Sequence, residues 1–191
     1  RFLSRRHPVL VAALILTNMG HGPLYAFLPL HAAAGGVPNP AWFFVTQSAC
    51  LVMSRLLFRK ASDRFGRYRV LAPAIAAIAL GFLLLSRPAT IPTMTAAAVL
   101  IAFGGSFLYP ILLALAVDRT PRDEIGLTTG TFSASFDLGS VVGSLAVGVL
   151  VERTSYGAGF LLIGVTTLAG LALLTWDYRR QRHGGRAVAA E

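Results

Sequence analysis

Charge is scarce in this chain and negative charge scarcer still: 13% of its 191 residues are Asp, Glu, Lys or Arg, and only 8 of these are acids. Soluble domains carry about a quarter of their residues as charges. A mean hydropathy of +0.66 therefore places this chain in a bilayer. Cysteine is almost missing as well. Cys50 stands alone inside an apolar run, which excludes an intrachain disulfide and a paired-cysteine metal site. There is no GxxxxGK(S/T) loop to cradle a nucleotide, no HExxH, no carboxylate cluster for a metal, and no GxSxG ahead of a helix. Nothing points to an enzyme, and no cofactor or metal is expected.

Cations are what the chain does have, and their placement is informative. A net charge of +9 invites comparison with nucleic-acid binders, but those gather their cations on a folded soluble face. Here the cations lie between apolar runs, so no nucleic-acid partner is expected. The runs cover about 8–30, 41–58, 70–86, 93–117, 128–151 and 156–176. Each is long enough to cross a hydrocarbon core of about 30 Å at about 1.5 Å per residue. Strand-like alternation is absent, and lipid forbids unpaired backbone, so the fold class is all-α integral membrane with six transmembrane helices. With an even number of spans both ends share a side. That side holds 15 of the 17 Lys and Arg residues, leaving Arg87 and Arg153 opposite, so both termini are expected in the cytoplasm of a cell (inner) membrane protein.

One cytoplasmic loop is more particular than a topogenic signal requires. In "RKASDRFGRYRV" (59–70) an acid, a glycine and an arginine stand at fixed spacing, and Gly66 suits a tight turn between two spans. A solvated charged loop is the plainer reading. Arg55, followed eight residues later by "DRFGR" (63–67), resembles the loop between the second and third helices of a half in major facilitator superfamily transporters. Arg59 and Ala61 stand where the family pattern carries glycine and leucine. "YAFLPLHA" (25–32), "GGSFLYPILLALAVDRTPRDEIG" (104–126) and "TFSASFDLGSVVGSLAVGVL" (131–150) are similar to the first, fourth and fifth helices of the C-terminal half in the sugar- and drug-efflux branch. The resemblance covers nearly the whole chain. It implies one domain over residues 1–191, built as two inverted three-helix repeats, with Asp63, Arg64, Gly66, Arg67 and Arg55 forming a cytoplasmic latch. Gly20 and Tyr25 in the first span echo Gly104 and Tyr109 in the fourth at equal separation, either as repeat symmetry or by chance.

Polar residues inside the spans are the candidates for a pathway. Asp137 is the one acid well within a span, and its charge there must face water, find a partner or take up a proton. Ser133, Asp137, Ser140, Ser144 and Gly148 recur at helical spacing and share a face, while Gly139 and Gly143 offer a close approach on the neighbouring one. Asp137 serves either a proton or substrate pathway or the packing of its helix. Asn18, His21, Gly22 and Tyr25 form a second stripe, on a helix interrupted by Pro23 and Pro29; His21 handles protons or simply packs. Gln47 and Tyr109 are weaker candidates, Pro110 marks a kink, and Trp42 and Trp176 fit interfacial anchors. His7 and His31 fall at span ends and carry no further signal.

The resemblance implies a secondary active transporter of small molecules working by alternating access, with proton-coupled efflux. Six helices line only one side of a central cavity, so an N-terminal six-helix half, covalent or separate, is expected as partner beside the lipid bilayer, a small-molecule substrate and protons. The chain opens on Arg1 and reads as a fragment of a longer polypeptide. Alternatives are a half-size homodimeric transporter and a non-transporting membrane scaffold that kept the fold.

Overall fold

Pro23 explains why the first apolar run is not one continuous rod. A helical residue donates its N–H to the carbonyl four residues back, and Pro23 has no N–H to give Met19. In the computed structural model, which describes residues 7–58 and 66–188, α1 (Pro8–Asn18) ends just before Met19 and α2 (His21–Ala34) begins just after it. Pro29 remains inside α2. The chain continues through α3 (Ala41–Phe58), α4 (Arg67–Leu85), α5 (Ile91–Val117), a 3-10 turn at Arg122–Glu124, α6 (Ile125–Arg153) and α7 (Tyr156–Val188). With α1 and α2 counted together, six segments of the described residues are long and apolar enough to cross a membrane. The expected all-α architecture is the observed one.

Helix bounds differ from the apolar runs in an understandable way. α5 starts at Ile91 rather than Thr93, because Thr90 and Thr93 exchange a reciprocal cap and Pro92 suits the first turn. α6 starts at Ile125 rather than Thr128, and α7 continues to Val188, far beyond Trp176. An apolar run marks what lipid covers, whereas backbone hydrogen bonding carries on into polar sequence. Gly66 opens α4 at φ 86°, a conformation that side chains with a Cβ disfavour.

Small residues decide how the helices pack, since lipid tails remove the usual hydrophobic advantage of pairing apolar faces. α4 lies along α5 and α7, α3 along α5, and α1 along α6 and α7. Gly104 sits on the Ala74 carbonyl of α4, and a Cβ at Gly170 of α7 would come within 2.6 Å of the Thr17 methyl. Gly139 and Gly143 behave as their spacing predicts. A Cβ at Gly139 would lie 2.8 Å from the Ile15 carbonyl oxygen, and one at Gly143 would overlap that of Met19, the carbonyl that Pro23 leaves free. Phe82, Phe132, Phe160 and Ile163 are buried among these contacts.

The two ends of the bundle differ in character. At one end Arg67 pairs with Asp118, Arg119 reaches the Tyr68 hydroxyl at 2.9 Å, Tyr68 donates to Asp177 at 3.2 Å, and His7 meets Thr120 at 3.1 Å. At the other, Gly35 packs on Ala89 and Gly157 on the Ser86 carbonyl. α3 and α6 are the least covered helices, and each turns a long face outward.

Candidate functional site

The break between α1 and α2 opens a cavity of about 300 Å³ beside it. Asn18, His21, Tyr25, Gln47 and Tyr109, all singled out in the sequence, line this space together with Arg55 and Phe136. Every helix from α1 to α6 contributes. Asn18 is buried, and its amide donates to the Phe136 carbonyl at 2.6 Å, so it ties the end of α1 to α6 and positions the wall. His21 meets the Tyr25 ring edge-on at 5.1 Å and lies 5.2 Å from Phe136. Tyr25 stacks on Phe44 at 5.4 Å, and Tyr109 stands edge-on to Phe136 at the same separation. These contacts make a continuous aromatic wall from α2 to α6. The paired tyrosines of the internal echo, Tyr25 and Tyr109, thus reach one cavity, and their glycines both abut α4: Gly20 against Phe82, Gly104 against Ala74 and Ile78.

Asp137 occupies an adjoining depression of about 230 Å³ with Ser133, Tyr109 and Phe136. Its carboxylate is exposed and makes no ion pair among the described residues, while the Tyr109 and Ser133 hydroxyls bond each other at 3.1 Å beside it. The predicted small-residue stripe divides at this level. A Cβ at Gly22 of α2 would come within 2.8 Å of the Ser140 hydroxyl and overlap that of Ser144, and one at Gly148 would meet Phe27 at 3.6 Å, so the far half of the stripe packs on α2. Ser133 and Asp137 are left facing outward.

The structure describes only part of the expected latch. Asp63 and Arg64 lie outside the described residues. Arg67 pairs with Asp118 at the end of α5, a partner that sequence reading did not find, because nothing in spacing shows which helix end the start of α4 will meet. Arg55 lines the cavity, where no Asp or Glu stands beside it among the described residues. Phe136 and Phe44 were also missed; aromatic residues in an apolar run read as lipid-facing until the neighbouring helix is known. Among the described residues no group of three His, Cys, Asp or Glu side chains is placed to hold a metal ion.

The sequence profile described as Major Facilitator Superfamily matches residues 9–190. The chain belongs to the major facilitator superfamily. It is 30% identical over 172 residues to an uncharacterized MFS-type transporter of Pseudomonas aeruginosa, a match covering 90% of this chain and 43% of that protein. It is 31% identical over 179 residues to an uncharacterized MFS-type transporter of Burkholderia mallei, covering 93% and 44% respectively. The chain thus spans less than half the length of these curated relatives. Among solved structures, a crystal structure of a peptide transporter, POT, in complex with sulfate superposes with a TM-score of 0.76 at 18% identity, covering 95% of this chain and 43% of that one. That likeness shows the fold: six helices matching half of a major facilitator transporter. The family is one of transporters, not enzymes.

Proposed function

We propose that this chain is the C-terminal six-helix half of a secondary active transporter in the sugar- and drug-efflux branch, exporting small molecules in exchange for protons by alternating access. The observation that carries this reading is the cavity beside the helix break, walled by aromatic rings and edged by Gln47 and Arg55, with Asp137 exposed in the depression that adjoins it. A carboxylate at that depth is too costly to keep charged in lipid, by about 2.5–3.5 kcal/mol on insertion scales. It serves here as the proton site, exposed to water in one state and occluded in the other.

The remaining half closes the open face, in the same polypeptide or as a separate chain. Rocking of the two halves brings the Arg67–Asp118 end together, with Asp63 and Arg64 completing that latch. The cation distribution favours the cytoplasm for this end and both termini. The test is flux in proteoliposomes holding the full reading frame. An imposed pH gradient is expected to drive ethidium or a fluorescent glucose analogue outward, and Asp137→Asn to stop the driven movement. Movement of neither probe above protein-free vesicles would remove the branch assignment, and driven flux unchanged in Asp137→Asn would remove the proton site.

A further inference from the structure

α7 lines neither the central cavity nor the Asp137 depression, so its outward flank lies apart from both. On that flank Leu161, Val165, Leu168, Ala172 and Trp176 follow one another at three- and four-residue steps, and all are exposed. Such a stripe on a membrane-crossing helix meets acyl chains. Beside it, α4 and α7 leave a groove of about 200 Å³ between them. Its floor is Leu71 and Ile75 of α4 and Leu174 of α7, all buried. Thr175 is the one polar side chain below the rim, and its hydroxyl donates to the Ala172 carbonyl at 2.9 Å, so the interior offers nothing to a polar solute.

The rim is polar and cationic. The rings of Tyr68 and Tyr178 stack at 4.6 Å, and Arg69 stands next to them, exposed. Tyr and Trp settle where membrane meets water, and Trp176, with Arg180 over its ring at 5.4 Å, marks the same level on α7. The groove therefore runs inward from headgroup level over about 10 Å, the rise from Tyr68 to Ile75 along α4. Asp177, the acid beside this rim, accepts from the Tyr68 hydroxyl at 3.2 Å and lies 3.8 Å from Arg119. Arg69 has no acid partner among the described residues, and no Asp or Glu lines the groove. A hydrocarbon slot that ends at an unneutralised guanidinium is complementary to a lipid whose headgroup carries net negative charge.

We propose that this groove holds one acyl chain of an anionic phospholipid, whose phosphate rests on Arg69. The source is the bilayer leaflet at the Arg67–Asp118 end: a soluble anion has no use for the slot, and a lipid without net charge gains little from the cation. The bound chain fills the gap between α4 and α7 and so joins two helices that the polar contacts of Tyr68, Arg119 and Asp177 already hold together at that end.

Native mass spectrometry of the purified full-length protein, released from detergent with added lipid, tests this. The probes are dioctanoyl phosphatidylglycerol, dioctanoyl phosphatidylcholine, and glycerophosphoglycerol, which has the anionic headgroup and no chains. Phosphatidylglycerol is expected to bind about fivefold more tightly than phosphatidylcholine, the scale of one cation near a membrane surface, and glycerophosphoglycerol not to bind. Arg69→Gln, at an exposed position, is expected to bring phosphatidylglycerol down to the level of phosphatidylcholine. Arg122→Gln, an exposed cation at the same end and off the groove, is expected to leave the preference unchanged. Ala72→Phe and Thr175→Phe each fill the groove and are expected to weaken binding of both lipids; either serves if the other does not fold. Equal affinity for the two lipids, equal effects of Arg69→Gln and Arg122→Gln, undiminished binding in a folded groove-filling variant, or binding of glycerophosphoglycerol as tight as that of the lipid overturns the proposal. None of these outcomes bears on transport, which is read separately by flux.

Discussion

The Asn18 amide donates to the Phe136 carbonyl at 2.6 Å, and so joins the point where the first span breaks to the residue beside Asp137. The backbone at Asn18 is free to end a helix because Pro23 withdraws a donor one turn later. The bond therefore fixes the distance between a discontinuous helix and the helix carrying the lone intramembrane acid. Asn18→Ala is expected to cost about 1 kcal/mol, since the Phe136 carbonyl keeps its place in α6. Asn18→Asp is expected to cost more, because it sets a buried carboxylate against that carbonyl. Thermal unfolding of the full-length protein checks the order.

Gly143 presents the opposite case, a position defined by what it lacks. A Cβ there would overlap the Met19 carbonyl, which belongs to backbone and cannot rotate aside. Gly143→Ala is expected to destabilise by about 1–3 kcal/mol, as overpacking does, in spite of alanine's better helix propensity. Gly130 lies on the same helix with nothing within 4 Å of its missing Cβ. Gly130→Ala is expected to stabilise by up to about 1 kcal/mol. Opposite signs from one substitution on one helix, read as shifts in unfolding midpoint, separate packing from propensity.

Arg67 and Asp118 are 33% and 57% exposed, and an ion pair that open to water contributes about 0–1 kcal/mol. Neutralising either residue is expected to leave the unfolding midpoint within about 4 °C of the parent. Its effect belongs in the conformational equilibrium instead. With Ser133→Cys as reporter in a Cys50→Ser background, alkylation from the cytoplasmic side should speed up in Arg67→Gln and in Asp118→Asn. The charge-reversed pair, Arg67→Asp with Asp118→Arg, should restore the slow rate. Equal alkylation in all four proteins would show that the pair holds nothing closed.

The sequence made legible whatever depends on composition along one helix. Apolar runs between cations mark the spans, and the spacing of Gly139 and Gly143 marks a close-packed face, because both follow from a single helix and its solvent. Asn18, His21, Tyr25 and Tyr109 were reachable for a similar reason, being polar or interrupted where lipid demands otherwise. Phe136 was not, and Arg55 was read as a latch residue rather than as part of the cavity wall: whether a side chain lines a cavity or meets lipid depends on the helix beside it. Asp118 escaped on the same ground, since its partner lies fifty-one residues away at another helix end. His31 looked like an ordinary span terminus until Tyr156 and Phe160 closed over it.

Asp137 and His21 share the aromatic wall at Phe136, yet they are expected to answer differently to substitution. Asp137 is exposed on the open face, within Coulombic reach of His21, and has no ion-pair partner among the described residues. In the proposed cycle the other half closes over this face, where a carboxylate needs water, a partner or a proton. Asp137→Asn removes the acid while keeping shape and polarity. Substrate counterflow, which needs no net proton movement, should therefore persist in Asp137→Asn while gradient-driven flux falls about tenfold or more, the scale set by the charged group's insertion cost. His21 contributes an edge to Tyr25 and Phe136 through packing, so His21→Gln should weaken substrate retention in counterflow and keep the response to an imposed gradient. If His21→Gln abolished the gradient response and Asp137→Asn preserved it, the imidazole would be the proton carrier and the carboxylate a packing residue.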